Sequence, residues 1–167
     1  MTLREELTIE DVPYEKRKDL VSILEESFEG MYLWHSRKTL EKIEVVKAAT
    51  HRGKKVGLAM LKRLDSRLGY VYYVAVSRDY RGLGIGGLLL DNSLEYFIES
   101  GVVEVFAAVE EDNVESIELF KSRGFDQISF SELAKKMGRL KAATLWSKML
   151  VVPGELLLHK QISPKLI

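Results

Sequence analysis

The sequence predicts an α+β fold: one domain on a mixed, mostly antiparallel sheet flanked by helices, with a helical insertion near the C-terminus. Three observations carry that expectation. Strand-like runs rich in β-branched residues follow one another through the first half, joined by short turns, as antiparallel strands are. The run Val71 to Val76 then feeds a glycine-rich turn and a helix, and the strand beyond that helix must lie parallel to it. Finally, helical spacing returns over about residues 131–150, between two strand-like runs.

The chain has 167 residues, enough for one domain with a sizeable core and too few for two comfortable ones. A single domain over 1–167 is therefore expected, with its chemistry concentrated in 70–125. Hydrophobic residues make up 46% and charged residues 30%, the balance of an ordinary globular chain. The 25 basic and 25 acidic residues cancel, which argues against nucleic acid or a membrane surface as partner. Cysteine is absent, so thiolate nucleophiles, disulfides and cysteine metal sites are excluded. The opening run MTLREELTIEDV lacks the apolar core of a signal peptide. No apolar run reaches the roughly 18 residues of a membrane span, so the cytoplasm is the expected compartment.

In order, Leu3 to Glu10 reads as a first strand, ending at the Asp11-Val12-Pro13 turn. Tyr14 to Phe28 places Leu20, Val21, Leu24 and Phe28 on one helical face. Glu29 to His35 interrupts that pattern, and Ser36 is the expected cap of a short helix through Ile43. Glu44 to Thr50 and Lys55 to Leu64 read as a hairpin around His51-Arg52-Gly53-Lys54, and Asp65-Ser66-Arg67 turns the chain into the central strand. After it, Leu90, Leu94, Phe97 and Ile98 share one face of a helix that Gly101 ends. Val102 to Val109 is the next strand. Asp112 with Glu115 marks a helix start, and Gly124 with Phe125 closes that helix. Asp126 to Phe130 is then a strand, Ser131 caps a helix to Met137, a second helix covers 139–149, and Glu155 to Gln161 is the last strand.

The segment Arg81-Gly82-Leu83-Gly84-Ile85-Gly86-Gly87 carries the functional signal. A strand that feeds a glycine-rich turn opening a helix offers unpaired backbone N–H groups at the positive end of the helix dipole, a site for an anion such as phosphate. Gly82-x-Gly84-x-x-Gly87 literally matches the dinucleotide fingerprint. However, five residues separate it from the strand, and repeated βαβ units are lacking around it. The phosphate loop of nucleotide hydrolases fails, because Leu88 and Leu89 stand where Lys and Ser or Thr belong. Tight packing is the plain structural alternative.

Arg81-x-x-Gly84-x-Gly86, preceded by Val74-Ala75-Val76 and Tyr80, resembles the acyl-CoA-binding motif of the GCN5-related N-acetyltransferases, the GNAT superfamily. A second motif follows about thirty residues on: Asn113, the small residue Ser116, Leu119-Phe120 and Gly124-Phe125. The resemblance implies a GNAT-like acyl-CoA N-acyltransferase fold and transfer of an acetyl group from acetyl-CoA to an amine of a protein, peptide or small molecule. No metal is implied. A homodimer would fit, dimers being frequent in that family.

By the same resemblance, the pyrophosphate lies on the N–H groups of Arg81, Gly82, Leu83, Gly84, Ile85, Gly86 and Gly87, and the pantetheine arm pairs with Val74, Ala75 and Val76. Asn113 holds the arm through its amide, with a plain helix cap as its structural alternative; Ser116 fills the small position, and Phe120 sits beside the sulfur. Many relatives place a tyrosine acid there, and phenylalanine cannot donate a proton. A CoA-binding regulatory module without catalysis is therefore the second expectation. Tyr70 and Tyr72 are the candidate bases, although an unperturbed phenol titrates near 10; Glu110 and Glu111 are alternatives. Tyr32 and Trp34 fit either an acceptor pocket or a satellite cluster. The insertion fits a cover over the acceptor, a dimer face or a surface decoration.

Overall fold

The computed structural model describes residues 2–163, so Met1 and residues 164–167 of the expected 1–167 span lie outside the described residues. Seven strands and six α-helices follow in order: β1 (Leu7–Asp11), α1 (Val21–Ser27), α2 (Gly30–Lys42), β2 (Val45–His51), β3 (Lys54–Arg63), β4 (Leu68–Val76), α3 (Ile85–Glu99), β5 (Glu104–Glu110), α4 (Val114–Ser122), β6 (Asp126–Gln127), α5 (Phe130–Met137), α6 (Arg139–Met149) and β7 (Glu155–Gln161). The strand order is β1-β2-β3-β4-β5-β7-β6. Pairing is antiparallel for β1–β2, β2–β3, β5–β7 and β6–β7, and parallel for β4–β5, which makes the sheet mixed. By contacts the chain divides into two compact units, residues 1–62 with 73–93, and 63–72 with 94–167. β4 and α3 each pass from one unit to the other.

In the first unit the chain opens with turns at Thr2 to Glu6, so β1 begins at Leu7 rather than Leu3. The expected helix over 14–28 is two pieces: a 3₁₀ helix, Tyr14–Leu20, runs into α1. Three residues per turn place Arg17 and Leu20 on one side, and both are buried. The Arg17 guanidinium donates to the carbonyls of Leu40 and Ile43 at 3.1 and 2.7 Å, closing the C-terminal end of α2. Ser36 is not a cap. α2 starts at Gly30, which turns at φ +54° after the extended Glu29, and Ser36 lies fully buried inside the helix with its hydroxyl on Leu33 O. Arg52 and Gly53, both at positive φ, make the two-residue turn of the β2–β3 hairpin. Residues Val56 to Leu61 of β3 are all buried, so both faces of that strand are covered.

In the second unit, Asp65 Oδ1 accepts from the N–H groups of Arg67 and Leu68 and turns the chain into β4. The parallel register runs from Leu68↔Glu104 to Val71↔Ala107. At the end of α3, Gly101 takes φ +82° and Val102 N–H reaches back to Phe97 O at 3.0 Å, a Schellman closure. Gly124 repeats it: φ is +86°, Phe125 N–H donates to Phe120 O, and the two rings meet edge to face at 5.1 Å. The expected strand at 126–130 shrinks to Asp126–Gln127, because Ser129 rather than Ser131 caps the next helix. The Ser129 hydroxyl accepts Glu132 N–H and donates to the Glu132 carboxylate, which starts α5 at Phe130.

The insertion is part of the core. Leu133 of α5 and Ala142, Leu145 and Met149 of α6 join Leu68, Tyr70, Phe106 and Leu157 in one buried cluster. At about 1.5–3 kcal/mol for each large apolar side chain, these contacts hold the unit together. The reading as surface decoration falls.

Candidate active site

The glycine turn is set by backbone conformation. Gly82 and Gly84 stand at φ +76° and +84°, where side chains are strained, yet a Cβ built on either meets nothing within 4 Å. The space over the turn is open. The first helical bond of α3 runs from Leu88 N–H to Gly84 O, so the N–H groups of Ile85, Gly86 and Gly87 precede any intrahelical acceptor. That donor set at the positive end of a 15-residue helix fits a pyrophosphate. Gly57 of β3 lets the start of α3 pack close: a Cβ there would stand 3.0 Å from Leu89 and 3.2 Å from Ala75 O.

The Arg81 side chain is engaged by backbone and hydroxyl acceptors. Its Nε donates to Val76 O at 3.0 Å, and its Nη2 donates to Glu26 O and the Ser27 hydroxyl at 3.0 and 3.3 Å. The Glu26 carboxylate in turn accepts Arg78 N–H at 2.6 Å and the Ser77 hydroxyl at 3.0 Å. The Arg78 N–H bond, with help from Ser77, holds that carboxyl below the usual carboxylate range. No sequence signal points to Glu26, which lies 51 residues before Ser77. On the other side, Tyr80 rests against the β2–β3 hairpin: its hydroxyl is 3.2 Å from His51 Nδ1, and Lys54 Nζ lies 5.9 Å from its ring centroid.

In the second unit Asn113, not Asp112, caps α4, its Oδ1 accepting Ser116 N–H at 3.2 Å. Ser116 is thereby brought beside Asn113 on the first turn. Phe120 is 5% exposed and spends its ring on Phe125.

Tyr70 and Tyr72 are brought together edge to face at 4.5 Å. Both hydroxyls donate protons to the last carbonyls of α6, Tyr70 to Met149 O at 3.0 Å and Tyr72 to Lys148 O at 3.1 Å. Tyr70 is 3% exposed. Burial pushes the Tyr72 phenol up, which favours the protonated form and disfavours action as a base.

Glu155, which the sequence reading did not single out, stands directly opposite Glu110 across β5 and β7. Burial pushes its carboxyl up and Glu110 adds to that, against a bond from Val152 N–H. The sequence signal was present only as register: two acids fall at the paired ends of two strands. Glu111 N–H is bonded to Gly154 O. The Glu104 carboxylate accepts from His159 Nδ1 at 2.7 Å and from Lys136 Nζ, a separate cluster. Among the described residues no group of three His, Cys, Asp or Glu side chains is arranged to hold a metal.

The frame is thus an α+β one: a mixed sheet with a glycine-rich turn that opens α3 after β4. The model of the Acetyltransferase (GNAT) family matches residues 10–125, and the chain belongs to that family. It is 40% identical over 57 residues to a mycothiol acetyltransferase of Corynebacterium aurimucosum, covering 34% of this chain and 19% of that protein. It is 35% identical over 80 residues to the N-alpha-acetyltransferase MAK3 of Arabidopsis thaliana, covering 46% and 42%. The chain thus spans less than half the length of these curated relatives. Among solved structures, Ard1 from Thermoplasma volcanium superposes with a TM-score of 0.69 at 17% identity, covering 94% of this chain and 98% of that one. PaiA N-acetyltransferase from Thermoplasma acidophilum, in complex with coenzyme A, gives 0.70 at 13%, covering 93% and 99%. These last two likenesses show the fold.

Proposed function

We propose that this chain is an acetyl-CoA-dependent N-acetyltransferase that acts in the cytoplasm on an amine of a protein, peptide or small molecule. The observation that carries the reading is the turn at 82–87: two positive-φ glycines, open space above them, and three N–H donors at the start of α3. Backbone N–H groups from Gly82 to Gly87 hold the pyrophosphate, and Arg81 fixes the turn from below. The edge of Val74, Ala75 and Val76 orients the pantetheine arm. Asn113, whose oxygen is committed to the cap, offers its amide N–H donors. Ser116 leaves room beside it, and Phe120 contributes an apolar wall. No metal takes part.

When bound, acetyl-CoA supplies an activated thioester. The chain must then accept a proton from the amine and return one to the leaving thiolate. A carboxyl pushed up suits the first task, whereas a phenol pushed up stays protonated but becomes a weaker acid. The Glu155 carboxyl, raised by burial beside Glu110, is the proton acceptor. The half-buried Tyr72 phenol, held protonated, is the donor that Phe120 cannot be once its proton leaves Lys148 O, and Tyr70 packs against it.

Calorimetric titration with acetyl-CoA, and separately with NAD, tests the cofactor; thiol release over an amine panel tests turnover. Acetyl-CoA binding without NAD binding is expected. A second reading, a CoA-binding regulatory module, is favoured by Phe120 and predicts binding without turnover on any amine. Binding of neither ligand removes both.

A further inference from the structure

We infer that Glu26 is a positioning residue for the pyrophosphate turn, working as one clamp with Arg81; the inference rests on the acetyl-CoA reading above. Five bonds converge on the short stretch between β4 and the turn. From α1, the Glu26 carboxylate takes the Ser77 hydroxyl and Arg78 N–H. Toward α1, the Arg81 side chain gives bonds to Glu26 O and the Ser27 hydroxyl, and its Nε closes on Val76 O. The two side chains therefore reach in opposite directions: Arg81 to the carbonyl of Glu26 itself, and Glu26 to the N–H of Arg78, three residues before Arg81.

The consequence is geometric. Gly82 and Gly84 follow Arg81 directly, and glycines hold no conformation of their own. A turn of that composition presents converging N–H groups only if its entry is fixed, and the entry is what the clamp fixes. A guanidinium that spends Nε and Nη2 on carbonyl and hydroxyl acceptors acts on the turn through the backbone. Phe28, which follows α1, meets Tyr73 of β4 edge to face at 5.2 Å, so α1 is braced against β4 at a second point.

The test compares Glu26→Ala, Glu26→Gln and Arg81→Ala by acetyl-CoA calorimetry and by amide hydrogen exchange without ligand. Glutamine keeps an acceptor oxygen for Arg78 N–H and Ser77; alanine does not. Glu26→Ala and Arg81→Ala are expected to weaken acetyl-CoA by about tenfold or more, and Glu26→Gln to stay within about threefold of the parent. Exchange should quicken in Glu26→Ala at 77–87 and stay unchanged in β2 and β3. Parent-like affinity in Glu26→Ala, or equal loss in the alanine and glutamine variants, overturns the inference. Should Glu26→Ala not fold, Ser77→Ala removes one of the same bonds and must show the same local quickening. If the parent itself binds no acetyl-CoA, the reading of the cofactor fails. The exchange comparison then still decides whether the clamp holds the turn.

Discussion

The hydroxyl of Tyr70 donates to the carbonyl oxygen of Met149 at 3.0 Å across 79 residues of sequence. The acceptor is one of the last carbonyls of α6, which lack partners within their own helix. Leu150, the residue after, turns in the left-handed region at φ +54°. Tyr70→Phe keeps the ring in the core and strands that carbonyl, at a cost of about 1–3 kcal/mol. For a chain of this size each kcal/mol lowers Tm by about 2–4 °C. Calorimetric unfolding should show the drop; an unchanged Tm would mean that the bond contributes nothing.

Tyr72→Phe separates chemistry from stability. Burial raises this phenol in the folded protein, so its stabilising contribution is full below the ordinary value of 10 and is lost as pH rises through the raised value. As a proton donor it follows the same sign: turnover holds at neutral pH and falls on the alkaline side. Loss of a positioned acid costs about 10²-fold or more in kcat, with KM for acetyl-CoA unchanged. An alkaline limb that survives in Tyr72→Phe would assign the proton to another group.

Local structure was legible where a single residue type dictates backbone geometry. Gly124 and Phe125, Gly101 and Arg52-Gly53 follow from sequence because positive φ leaves few alternatives, and the run Glu155 to Gln161 coincides with β7. The cap of α5 stands two positions before the expected one, and at α4 Asn113 takes the cap that was its plain structural alternative. Asp112 and Asn113, or Ser129 and Ser131, are chemically equivalent caps, and only the observed bonds to Ser116 and Glu132 separate them. Ser36 misled because a serine buried in a helix interior bonds its own turn, which no window of sequence reveals. In the site, the glycine turn was readable, whereas Glu26 on Ser77 and Tyr70 on Met149 were not. Those contacts are made by the tertiary fold between segments with no shared periodicity.

The turn itself is tested without altering its backbone by Leu83→Glu. Leu83 lies between Gly82 and Gly84, is 54% exposed, and has no positive φ to disturb. A carboxylate there opposes the pyrophosphate by like-charge repulsion. Acetyl-CoA affinity should fall by about tenfold at low salt and partly recover at high salt, because exposed charges are screened. Tm should stay within about 1 °C, as for most surface changes. Gly84→Ala is the complementary variant: it adds no charge, but φ +84° strains it by about 1–2 kcal/mol, so it should lose stability as well as affinity.

Glu155→Gln should move stability and turnover in opposite directions. Like charges directly opposite on antiparallel strands are destabilising, and Glu110 faces Glu155 in register. Because burial and Glu110 raise the Glu155 carboxyl above 4.5, folding is favoured below that ordinary value, and the advantage is lost as pH rises through the raised one. Above that raised value the Glu155 charge opposes folding. Glutamine removes one charge and keeps an oxygen for Val152 N–H, so Tm at neutral pH should rise, with the gain vanishing toward pH 4. The same change removes the proposed proton acceptor, and kcat should fall by about 10²-fold at neutral pH. Titrating Tm and turnover of parent and variant over the same pH range decides the matter. A variant that gains stability at no loss of turnover would leave the pair as a structural burden and move the base elsewhere; a joint loss would show that the Glu155 charge serves folding.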